Sequence, residues 1–91
     1  ATNFIKSNTS DHDLVIQGND GGSVINALSF DMSDAGAATF NNAITSGAVI
    51  TSGAGLVIAD SGTIGSASDT DAIAIASNGQ VTLTQSLTTK I

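Results

Sequence analysis

The 91-residue chain has no cysteine, proline, tryptophan, tyrosine, arginine or glutamate. Without cysteine there are no disulfides, no thiol chemistry and no thiolate zinc site. The only cations are Lys6 and Lys90, set against eight aspartates for a net charge of −6. Two lysines cannot neutralise a phosphate backbone, so nucleic-acid binding is excluded. A polybasic membrane-surface site fails for the same reason. No apolar run approaches the length of a membrane-spanning helix, so no membrane insertion is expected. The chain starts at Ala1 with nothing resembling a secretory signal. That start, with the apolar Ile91 at the other end, suggests a piece of a longer array.

What is present is small and polar. Ala, Ser, Thr, Gly and Asn fill 53 of the 91 positions. Such a composition borders on disorder. Leu, Ile, Val and Phe nevertheless make up 23 residues, more than the roughly 20% below which chains fail to fold. Their spacing is regular.

The apolar residues alternate. Leu28, Phe30 and Met32 fall on one side of an extended chain, with Ser29 and Asp31 on the other. Ile73 and Ile75 alternate with alanines, and Val81 and Leu83 with polar residues. This period of two reads as half-buried strand. Leu14-Val15-Ile16 and Leu56-Val57-Ile58 are continuous apolar triplets, consistent with strands covered on both faces. Turn residues punctuate the runs at Asn19-Asp20-Gly21-Gly22, Asp34-Ala35-Gly36, Ser61-Gly62 and Ser77-Asn78-Gly79. The last of these carries the best hairpin signal. The Ala-rich residues 34–43 favour at most a short helical turn, weakened by Gly36. The expected class is all-β, with roughly seven to nine short strands.

The chain also repeats itself. At an offset of 43, Phe30 meets Ile73, Met32 meets Ile75, Gly36 meets Gly79 and Phe40 meets Leu83. Ile44 meets Leu87 further on, and Leu14-Val15-Ile16 matches Leu56-Val57-Ile58 at an offset of 42. The organisation expected is one segment built of two units, about residues 11–45 and 54–88. Repeats of this length point to solenoids or arrays.

An isolated monomer fits this sequence poorly. Three phenylalanines and no Trp or Tyr give little bulk for a wide core. Lysine and proline, the usual protectors of strand edges, are missing from residues 7–89. The simplest cover is another copy of the same chain. The inter-chain core is then expected at Leu28, Phe30, Met32, Phe40, Ile44, Ile73, Ile75, Val81, Leu83 and Leu87. Dispersed aspartates would keep such an assembly soluble.

One stretch runs His12-Asp13-Leu14-Val15-Ile16-Gln17-Gly18-Asn19-Asp20-Gly21-Gly22-Ser23. A second runs Ala27-Leu28-Ser29-Phe30-Asp31-Met32-Ser33-Asp34-Ala35-Gly36-Ala37-Ala38-Thr39-Phe40-Asn41. Together they resemble tail-fibre and tailspike shaft segments of marine, cyanophage-like bacteriophages. Those shafts carry phrases of the form D-L-[VI]-[FI]-x-G-[ND]-D-G-G-S followed by A-L-x-[LF]-D-M-S-x-A-G-x-A-T-F-N. Residues 62–76 look like other phrases of such shafts, so the resemblance covers roughly residues 11–87. It implies an elongated, homotrimeric β-fibre on a virion, a triple-stranded β-helix or β-prism. Other tail or fibre proteins and a host-surface receptor are the partners it implies. In such proteins a C-terminal chaperone domain often follows the shaft, and these 91 residues hold no such domain.

Candidate chemistry is sparse. His12 lies between Asp11 and Asp13, but one histidine without cysteine makes neither a His-rich metal site nor a triad. A solvated loop before a strand explains it better. Asp20, Asp69 and Asp71 offer oxygen ligands near turns, so calcium is the only cofactor worth testing. The strict nonapeptide of calcium β-rolls is absent, and turn chemistry accounts for these aspartates. Paired carboxylates for glycoside cleavage would lack aromatic sugar platforms. Gly53-Ala54-Gly55 has no following lysine and is no phosphate loop. No enzyme activity is expected.

The sequence thus predicts a structural shaft segment of a trimeric phage fibre or tailspike that presents a receptor-binding tip, located on the virion or outside the cell. Two other readings stay open: an extracellular adhesin built as a calcium-binding β-roll or sandwich, and a self-assembling filament subunit.

Overall fold

A computed structural model describes residues 1–90. The described residues form six strands and no α-helix, so none is long and apolar enough to cross a membrane. The chain divides into two units, Ala1–Val49 and a second that begins at Ile50. Each holds one antiparallel three-stranded sheet.

In the first unit β1 (Leu14–Asp20), β2 (Ser23–Asp31) and β3 (Ala37–Phe40) lie side by side with β2 central. A two-residue turn, Gly21-Gly22, joins β1 to β2 with φ of 60° and 97°. Those values suit glycine because no Cβ obstructs them. The Asn19 side chain steadies the turn by accepting from the Gly22 N–H at 2.7 Å. Between β2 and β3 the chain makes a single 3₁₀ turn, Met32–Asp34, and then passes through Ala35 and Gly36 at positive φ. The Gly36 N–H returns to the Asp31 carbonyl at 2.7 Å and closes this five-residue loop. The helical turn expected within residues 34–43 is therefore displaced onto Met32–Asp34, and Ala37–Phe40 is strand.

In the second unit β4 (Gly62–Ser66), β5 (Asp69–Ile75) and β6 (Val81–Leu83) repeat the arrangement, with β5 central. Ser77-Asn78-Gly79 forms the expected hairpin turn. Gly79 has φ 86°, and its N–H donates to the Ala76 carbonyl at 2.9 Å. This is the three-residue hairpin with a left-handed glycine in its last position. Ala67-Ser68 turns the chain between β4 and β5, where the sequence carries no glycine or asparagine.

Paired registers show how the units correspond. Ile16, Leu28 and Phe40 form one cross-strand row, and Ile64, Ile73 and Leu83 form the matching row. Next to these lie Leu14, Phe30, Ala38 and Gly62, Ile75, Val81. Ladder register shifts in both units just beyond the first row, next to Ala27 and Ala72. The carbonyls of these two alanines accept equivalent 3.1 Å bonds from Asn41 and Thr84.

Three sequence expectations change. Phe30 corresponds to Ile75 and Leu28 to Ile73, a two-residue difference from the sequence match on the central strand. On the third strands Phe40 and Leu83 occupy equivalent positions, as matched. The loop from Asp31 to Ala37 is two residues longer than its counterpart from Ala76 to Gln80, and that accounts for the change. Leu56-Val57-Ile58 is not a strand. The partner of Leu14-Val15-Ile16 is Gly62-Thr63-Ile64 instead. With residues 42–58, this triplet included, outside the ladders, the described residues hold six strands rather than seven to nine.

Candidate assembly surface

Both sheets are apolar on one face and polar on the other. Alternate residues of a strand point to opposite faces, and directly paired residues share a face. Leu14, Ile16, Leu28, Phe30 and Phe40 therefore stand on one face of the first sheet, while Ser29 and Thr39 stand on the other with Val15. In the second sheet Ile64, Ile73, Ile75, Val81 and Leu83 oppose Thr63, Ala74 and Thr82.

The bulge at Ala27 extends the first apolar face in a way that simple alternation misses. Counting back by twos from Leu28 would place Asn26 and Val24 beside it. The register shift instead pairs Ile25 with Gly18, in line with Leu14 and Ile16. Ile25 is half-buried, whereas Val24 is 71% exposed. Asn26 moves to the polar face, where the Gln17 amide donates to its Oδ1 at 2.8 Å.

Neither apolar face is covered. No hydrophobic side chain among the described residues is fully buried. Leu28, Phe30, Ile73 and Ile75, on the central strands, are half-buried. On the outer strands Phe40 is 48% and Val81 60% exposed. The accessible surface is 7985 Å². Two separate globular units of half this mass would expose roughly 5,800 Å² by the usual size scaling. A single sheet with one greasy side needs a second layer, and neither unit supplies one.

The expected core residues thus separate. Leu28, Phe30, Phe40, Ile73, Ile75, Val81 and Leu83 share the apolar faces. Met32 is half-buried but lies past the end of β2, so it does not continue the stripe of Leu28 and Phe30 as a strand residue. Ile44 and Leu87 lie outside the strands and are exposed. Leu14, Ile16, Ile25 and Ile64 belong to these faces and were not expected there. Only the pairing register, which sequence spacing does not reveal, brings them in.

The polar groups serve local structure. Asp31 accepts from the Ser33 hydroxyl at 2.6 Å and from the Ser33 N–H at 3.0 Å. The Ser33 hydroxyl is the main reason its carboxyl is held below the usual range, with the Ser33 and Asp34 amides contributing. Asp13 accepts from the Met32 N–H at 3.1 Å, tying the loop before β1 to the 3₁₀ turn. His12 sits in that same loop, exposed, with its carbonyl taking a bond from Ser7 Oγ at 3.0 Å. Asp20 ends β1 opposite Ser23, while Asp69 opens β5 opposite Ser66 and Asp71 follows on the same strand. Among the described residues no three acidic or imidazole groups gather where they could hold a metal ion, and no pocket forms. Compared with protein-family models, curated proteins and solved structures, the chain matches none.

Proposed function

We propose that this chain is a structural element, a shaft segment of a homotrimeric fibre that holds a binding tip away from a particle or cell. The observation that carries the reading is the pair of uncovered apolar sheet faces, with no fully buried side chain among the described residues to serve as a core. Copies of the chain would cover one another's faces and provide the missing second layer. Each large side chain so covered contributes about 1.5–3 kcal/mol, repeated in every copy. The resemblance to phage fibre shafts supplies the number three and the virion location. Small residues suit a thin shaft, in which backbones approach closely. Eight aspartates against two lysines keep assembled shafts from sticking to one another.

A filament subunit is the second reading. It is favoured by the open outer edges of β1, β3, β4 and β6, which carry no protective lysine or proline. Negative-stain electron microscopy of the full chain separates the two. Short rods of uniform length support the shaft, polymers of indefinite length support the filament, and compact single-chain particles contradict both.

A further inference from the structure

The apolar faces account for the strands but not for residues 42–58. Four observations set this segment apart. It contains no strand, and none of its backbone groups bonds to another described backbone group. Its aliphatic residues other than the half-buried Ile58 face solvent: Ile44 is 61%, Val49 88%, Ile50 72%, Leu56 79% and Val57 95% exposed. It repeats a short phrase, with Thr45-Ser46-Gly47-Ala48 followed by Val49-Ile50, and Thr51-Ser52-Gly53-Ala54 followed by Gly55 and Leu56-Val57-Ile58. Finally, residues 35–59 carry no charge at all, although aspartates stand at both ends, Asp34 and Asp60.

The two phrases also share a local device. Ser46 Oγ donates to the Ala48 carbonyl at 2.8 Å, and Ser52 Oγ donates to the Gly55 carbonyl at 2.6 Å. Each serine bends the chain at the glycine that follows it and leaves the aliphatic residues outside the bend. A stretch this long without regular structure is uncommon in a self-sufficient domain.

We propose that residues 42–58 pair in parallel and in register with the same residues of neighbouring copies, forming an inter-chain β-core. The proposal rests on the fibre reading and says where in the chain copies exchange backbone hydrogen bonds. Charge distribution identifies the occupant. In-register pairing sets every side chain beside its own duplicate, so any charged residue meets a like charge. Residues 35–59 are the longest uncharged run, and the other long one, residues 72–89, already spends the strands β5 and β6 on pairing within its own sheet.

The absence of cysteine makes the test direct. A nitroxide is attached to the full chain through Thr51→Cys, and the assembly mass is measured on the same sample. In-register copies bring the labels to about one inter-strand spacing, near 5 Å. The expected result is a spectrum broadened by spin exchange, which sharpens when labelled chain is co-refolded with excess unlabelled chain. A multi-chain mass with a sharp spectrum overturns the proposal and leaves the fibre reading intact. A single-chain mass overturns both. Ile50→Asp gives a second readout. It would place like charges in register and raise the concentration needed for assembly about tenfold at low salt, with recovery at high salt as the charges are screened. Circular dichroism verifies that the sheets persist. No change in assembly, or a loss insensitive to salt, also counts against in-register pairing.

Discussion

Single residues show how tightly the backbone is drawn at the second bulge. A Cβ built on Gly65 would collide with the carbonyl of Asp69 and the backbone of Thr70. Gly18, also on an outer strand, has nothing within 4 Å of the same atom. Gly65→Ala is therefore expected to destabilise the second unit by about 1–3 kcal/mol, while Gly18→Ala stays within about 0.5 kcal/mol of the parent. Thermal melts of the two variants check this, and equal melting points would contradict it. Asp31 offers a second residue-scale check. Its folded pKa lies below the unfolded value, chiefly because of the Ser33 hydroxyl. Its contribution to stability is thus present above the unfolded carboxylate pKa of about 3.9 and is lost as pH falls through the lowered folded pKa. Ser33→Ala should move the Asp31 titration back up toward the ordinary value, as read by carboxyl NMR. An unmoved titration would assign the shift elsewhere.

Among the elements, the strands argue for a missing layer. Phe40 on β3 is 48% exposed in the single chain. If the single chain were the working form, Phe40→Ala would cost little. With another copy covering it, the same change costs about 3–5 kcal/mol for each chain, visible as a fall in melting temperature that depends on concentration. The elements also show what sequence reading captures. Alternation identifies the central strands, because Leu28, Phe30, Ile73 and Ile75 follow a strict period of two. Glycine and asparagine mark the turns at Gly21-Gly22 and Ser77-Asn78-Gly79. The bulge at Ala27 leaves no compositional trace, so Ile25 escapes a count by twos. Ala67-Ser68 turns the chain without a glycine or asparagine to mark it. Leu56-Val57-Ile58 has strand composition but no strand within its own chain to pair with. A pattern read along one chain reports which residues favour strand, not where the partner strand lies.

At the scale of the whole molecule, the composition acquires a physical meaning. A chain rich in Ala, Ser, Thr and Gly folds into two single-layer sheets with matching registers and, among the described residues, no enclosed core. Its polar groups serve turns and loops, and none of the described ones assembles into a metal site. The stable form of the molecule is expected to be an assembly of copies. Light scattering after size-exclusion chromatography, repeated across a dilution series, tests it most directly. Three times the 8.9 kDa chain mass is the predicted result. A folded species of 8.9 kDa at every concentration would contradict it.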